Sequence, residues 1–194
     1  PERYRMRFLK NEDSWSLDAL TPAEWQLIEE LPGIAAGEGF RPASRERLFP
    51  SPFDTSTLAD EDTLSHVDDW EEFVKPDLES TFSQSRDIVK EDLSGVRNLS
   101  PEEMPEIDAF EWLGENLELK RVDVPVEHTE PWYSVLNQAR LLMNEEYGLA
   151  DAEDRAIAQS EGIHSIDQDR VLLLAQYELY SVLQSILIES IMDL

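Results

Sequence analysis

The chain of 194 residues has no cysteine, which excludes a disulfide framework, a thiolate zinc site and a cysteine nucleophile. It is also poor in base, with 16 Lys and Arg against 43 Asp and Glu and a formal charge of −27. A phosphate backbone demands a basic face to release its counterions, and an anionic bilayer attracts basic surfaces, so neither nucleic acid nor membrane is an expected partner. Histidine is limited to His66, His128 and His164, too scattered for a recognisable catalytic array. Gly37-Glu38-Gly39 lacks the third glycine, the strand and the helix of a dinucleotide site, and neither a lysine-bearing phosphate loop nor a Gly-x-Ser-x-Gly elbow occurs. These absences lead us to expect no cofactor, no metal ligands and no catalytic residues.

What is present suits one domain over residues 1–194, since 41% of the residues are hydrophobic and the length supports one sizeable core. The start shows no basic segment followed by an apolar run and a cleavage site, so Pro1 is read as following removal of an initiator methionine, and the expected location is cytoplasmic. Val171 to Met192 is the most apolar stretch, but Gln176, Glu178, Gln184 and Glu189 interrupt it, so it reads as a buried helix of a soluble protein.

Tyr4, Met6 and Phe8 alternate with Arg3, Arg5 and Arg7 at strand period, as do Val122, Val124 and Val126 with Arg121, Asp123, Pro125 and Glu127. The two segments are expected to pair, with Pro125 confined to an edge or a strand end. Thr21-Pro22-Ala23-Glu24 is a helix start, with a capping threonine, a proline at the first helical position and a reciprocal glutamate. Trp25, Leu27, Ile28 and Leu31 follow until Pro32-Gly33. Ser100-Pro101-Glu102-Glu103 repeats the device, and Ile107, Phe110, Leu113 and Leu117 continue it at helical spacing. Residues 33–62 show no sustained period and are read as a long surface connection, and 151–164 as a polar linker. Between them, Val67, Trp70 and Val74, then Leu78, Phe82, Ser85, Val89 and Leu93, form a helix pair or one helix bent at Pro76.

Trp132, Val135, Leu136, Ala139, Leu142 and Met143 predict an amphipathic helix ending near Gly148. From Ser165 onward a long helix is apolar over most of its circumference and must be surrounded by its own domain or by a second copy. The expected fold is therefore mainly α: a bundle-like helical domain around the C-terminal helix, with a minor two-stranded β element.

Glu161-Gly162-Ile163-His164 has the Glu-x-x-His spacing of di-iron bundles, but it occurs once where such a site needs two, so His164 reads as a solvated loop residue. Acid runs such as Asp60-Glu61-Asp62, Asp68-Asp69, Glu71-Glu72 and Asp167-Gln168-Asp169 lack the spacing of a calcium loop and read as solvated faces. Asn137 and Arg140, one turn apart, offer a grip on a partner carboxylate or backbone, or an internal hydrogen bond tying the helix to an acidic neighbour. Arg47 and Phe49 offer a partner anchor or an aromatic tucked onto the core. With Trp132, these four residues are the candidate partner contacts.

Arg47-Leu48-Phe49-Pro50, Val122-Asp123-Val124, Trp132 followed by Leu136-Asn137-Gln138-Ala139-Arg140-Leu141, and the closing tyrosine- and leucine-rich helix resemble an uncharacterised bacterial family. That family is known as domain of unknown function DUF2017. The likeness covers most of the chain, best from Leu117 onward and weakest between Asp54 and Gly114. Genes of the family in actinobacteria often lie beside that of the Clp protease adaptor, so the resemblance implies a helical, cytoplasmic bacterial protein connected with regulated proteolysis. It supplies no catalytic residues. The leading expectation is a non-enzymatic interaction or regulatory protein with a protein partner, and with the C-terminal helix as a candidate homodimer face. A small carboxylate- or metal-dependent enzyme and an acidic DNA mimic are the alternatives. Only four lysines against twelve arginines also fits acidity as an adaptation to a salty cytoplasm.

Overall fold

The structure, a computed structural model, describes residues 6–52, 61–104, 118–149 and 167–192. Tyr4, the helix expected over Ile107 to Leu117, the 151–164 linker with Glu161 and His164, and Ser165 lie outside the described residues. Four strands form one antiparallel sheet in the order β1-β2-β4-β3: β1 (Arg7–Lys10), β2 (Ser14–Leu20), β3 (Arg97–Asn98) and β4 (Lys120–Pro125). The architecture is therefore α+β, which corrects the expectation of a mainly α bundle with a minor two-stranded element. The two segments expected to pair do not touch as strands, because β2 lies between them. Phe8 faces Leu17, and Leu17 in turn faces Val122. Pro125 ends β4, where its missing N–H interrupts no ladder.

Trp15, Leu17, Val122 and Val124 line the core face of the sheet. A bulge between Leu17 and Leu20 includes Ala19, buried with φ at +55°. After it the capping box of Thr21 and Glu24 opens α1 (Pro22–Glu29), as its residues predict. Pro32-Gly33 does not end the helical region there. Leu31–Ala35 forms a short helix, α2, with Leu31 and Ala35 buried. α3 (Pro42–Arg45) and a 3₁₀ turn (Glu46–Leu48) follow within the stretch read as a connection.

α4 (Glu61–Asp69), a π-helical turn (Trp70–Val74) and α5 (Lys75–Ser94) run consecutively. The π turn comes just before Pro76, which cannot donate an intrahelical hydrogen bond, so the local winding changes where the ladder is broken. α6 (Thr129–Tyr147) ends at Gly148 in the left-handed conformation. Val135, Leu136, Ala139, Leu142 and Met143 on this helix are fully buried, and it packs against α2, α5 and the C-terminal helix. The hub is thus α6. The C-terminal helix, α7 (Gln168–Leu187), lies on the outside of it, which corrects its expected central place. Arg170 of α7 donates to the carbonyl oxygens of Tyr147 and Gly148, clamping the start of one helix to the end of the other.

Candidate functional site

α7 is fixed along two sides. On one, Gln176 and Tyr180 reach α1: the Gln176 amide donates to Glu30 at 3.0 Å, and the Tyr180 hydroxyl donates to the Leu27 carbonyl. Burial pushes the Tyr180 phenol well above its usual range, so it stays a neutral donor at any physiological pH. On the other, the Arg140 guanidinium donates to the Gln184 carbonyl oxygen and lies 5.3 Å from the Tyr177 ring centre, and the Gln184 amide reaches Asn137 at 3.4 Å. Arg140 Nε is buried with no acceptor among the described residues. Between these seams the outward side of α7 is largely apolar, interrupted by half-buried Glu178 and exposed Ser185. Leu172 is 56% exposed and Val182 37%, beside half-buried Val171, Ala175 and Ile186.

Of the predicted contacts, the fold brings Asn137 and Arg140 together on the α6–α7 seam and places the other three elsewhere. Trp132 is buried edge-on against Trp15, with its indole N–H 2.8 Å from Asp92. Phe49 packs on Phe82 of α5 with ring centres 5.3 Å apart, which ties the 3₁₀ turn down. Arg47 pairs with Glu145 at 3.9 Å, both half exposed.

Two polar clusters escaped the sequence reading. The sheet's outer face carries Arg7, Arg97 and Arg121 among Asp18, Asp123 and Glu103. Asp18 is 1% exposed and takes both Arg7 and Arg121. Asp123 is partly buried, which would raise its pKa, yet Ser16 and Arg121 bond to it and hold it below the usual carboxylate range. Arg97 holds Glu103 down to about 2 through two hydrogen bonds of 2.8 Å, with the Ser100 amide helping. The second cluster is at the start of α6, where His128 Nδ1 lies 3.0 Å from both oxygens of Asp92, which also accepts from Trp132. The signal for the first was the alternation Trp15-Ser16-Leu17-Asp18. The second joins residues 36 positions apart and left no local pattern.

Each arginine of the sheet face is matched by a carboxylate, so this web ties strands together rather than presenting a charge to a ligand. Among the described residues no group of three His, Asp or Glu side chains gathers as a metal site would. An open cleft of about 390 Å³ is lined by Glu29, Glu30, Glu38 and Lys90 with Pro32, Gly33 and Ile34. Residues 168–191 are long and apolar enough to cross a membrane by length and composition alone.

Fold and site together define an acidic α+β protein, in which a sheet and an amphipathic hub helix support a surface helix with an apolar outer side. Residues 6–191 match the family described as "Domain of unknown function (DUF2017)", and the chain belongs to it. No curated protein and no solved structure matches the chain.

Proposed function

We propose that this is a non-enzymatic interaction protein whose C-terminal helix pairs with the same helix of a second copy. The observation that carries the reading is the apolar outer side of α7, where Leu172 and Val182 remain in water although the opposite side of the helix is packed into the fold. Burying a leucine or valine side chain is worth about 1.5–3 kcal/mol, so covering this side supplies a real driving force. A two-fold interface must be self-complementary. Leu172, Ala175, Val182 and Ile186 are spaced so that an antiparallel copy centred on residue 179 sets Leu172 opposite Ile186 and brings Ala175 and Val182 within one residue of facing each other.

Two surfaces of the same sign repel, and copies each carrying −27 meet that repulsion in full. Association should therefore strengthen from about 0.05 M to about 0.5 M salt as screening tightens. Binding of a basic protein to the acidic surface would weaken over the same range. Light scattering on the purified chain distinguishes the two. We expect twice the 22.3 kDa chain mass at high salt, and the chain mass alone for Leu172→Asp/Val182→Asp with its circular dichroism unchanged. A wild-type chain that stays at single mass at every concentration and salt overturns the homodimer. A regulatory place in adaptor-dependent Clp proteolysis, in the cytoplasm of a bacterium, is supported by the gene neighbourhood that the family resemblance implies. Co-purification with the adaptor or protease tests it.

A further inference from the structure

In a chain so rich in acid, an arginine without a carboxylate stands out. Arg7, Arg97 and Arg121 on the sheet face meet carboxylates, and so do Arg41 and Arg47. Arg140 does not. It is half-buried on α6, and its partners among the described residues are all neutral. Nη1 donates to the Gln184 carbonyl oxygen, the guanidinium lies over the Tyr177 ring, and Nε is buried with no acceptor. Taking a cation out of water is costly unless an opposite charge or a full set of hydrogen bonds compensates it. The described residues supply no opposite charge and leave Nε unmet. Nη2 has no partner either, and it is not buried, so one edge of the guanidinium opens to solvent.

Asn137 is exposed one turn before Arg140 on the same face of α6. Its side-chain oxygen takes the Gln184 amide N–H at 3.4 Å, which leaves its own amide N–H groups as free donors. Arg140 and Asn137 thus hold the two atoms of one Gln184 amide, and their side-chain ends meet at one spot. Gln184 is only 4% exposed and Tyr177 is buried, so the guanidinium is oriented before any ligand arrives. We propose that Arg140 and Asn137 form a receptor for one carboxylate group, with Arg140 Nη2 supplying the counter-charge and the Asn137 amide a second hydrogen bond. Planar donors of this kind suit a planar carboxylate. One guanidinium balances one negative charge, whereas a chain at −27 repels a dianion such as phosphate more strongly than a monoanion. A free organic acid and the carboxylate of a polypeptide share this chemistry. The receptor lies on α6, away from the outer side of α7, and it goes beyond the homodimer without depending on it.

The probe is acetate, titrated into the full chain against chloride at constant ionic strength, and the readout is the NMR resonance of each arginine Nε–H. We expect the Arg140 resonance to move and to saturate in the millimolar range. Arg45, exposed and without an ion pair among the described residues, is the internal reference and should move little. Asn137→Ala keeps Arg140 as reporter and should weaken acetate about tenfold, as loss of a hydrogen bond to a charged group does. Arg140→Gln should abolish the response of the Asn137 side-chain amide. If that variant loses its fold, Arg140→Lys decides, since an ammonium keeps the charge but not the planar fork and should weaken binding several-fold. A short neutral peptide with a free C-terminus, compared with its amidated twin, separates the sources: tighter binding of the free acid than of acetate assigns a polypeptide, and binding equal to acetate assigns a small organic acid. Absence of a saturable shift at Arg140, an equal shift at Arg45, or unchanged affinity in Asn137→Ala overturns the proposal. Equal binding of the amidated peptide, or tighter binding of the phosphate dianion than of acetate, overturns it as well.

Discussion

Asp18 is the most demanding single residue of the structure. Its carboxylate is taken out of water in the middle of the sheet and is tolerated because Arg7 and Arg121 both reach it. Removing one member of a buried ion pair leaves the others uncompensated, at about 3–5 kcal/mol in fully buried cases. Arg7 is 42% exposed and can rehydrate, so Asp18→Ala should cost less, about 2–3 kcal/mol in urea unfolding, with Asp18→Asn nearer half of that. Glu103 gives a pH signature of the same web. Its folded value of about 2 lies below the ordinary 4.5, so its contribution to stability is fully present above pH 4.5 and is lost as pH falls through about 2. Melting temperature against pH should drop across that window, and the drop should shrink in Glu103→Gln.

At the scale of elements, α6 shows what the sequence discloses best. Its apolar spacing and Gly148 define both its course and its end, and Gly148 is found at φ +63°. A Cβ there meets nothing within 4 Å, so Gly148→Ala tests backbone conformation alone and should cost about 1–2 kcal/mol by thermal unfolding. The capping box at Thr21 was equally plain. β2 was not read, although Trp15-Ser16-Leu17-Asp18 alternates. Serine and aspartate are poor strand formers, and the arginines that cover them arrive from β1 and β4, positions that only the fold brings near. The apolar positions of α7 disclose a long helix, whereas its place beside α6 rather than at the centre is not contained in them. Hydropathy shows how much of a helix resists water but not whether its own chain supplies the cover. For the candidate contacts the same limit applies: the pairing of Asn137 and Arg140 followed from helical spacing, whereas the burial of Trp132 against Trp15 depends on a strand that was missed.

At the scale of the whole molecule the excess of acid dominates. The arginines described on the sheet face are already matched by carboxylates, so the uncompensated charge is spread over the helices and repels itself. Salt weakens both the ion pairs and this repulsion, but with a net charge of −27 the repulsion outweighs the pairs. Melting temperature should therefore rise from about 0.05 M to about 0.5 M sodium chloride. A fall would mean that the paired arginines matter more than the acidic excess.

The grip of Arg170 on the Tyr147 and Gly148 carbonyls has an evolutionary corollary. Two carbonyl acceptors at a left-handed helix end suit the planar fork of a guanidinium better than a point charge, so relatives should keep arginine at this position, and Arg170→Lys should speed amide exchange in the first turn of α7.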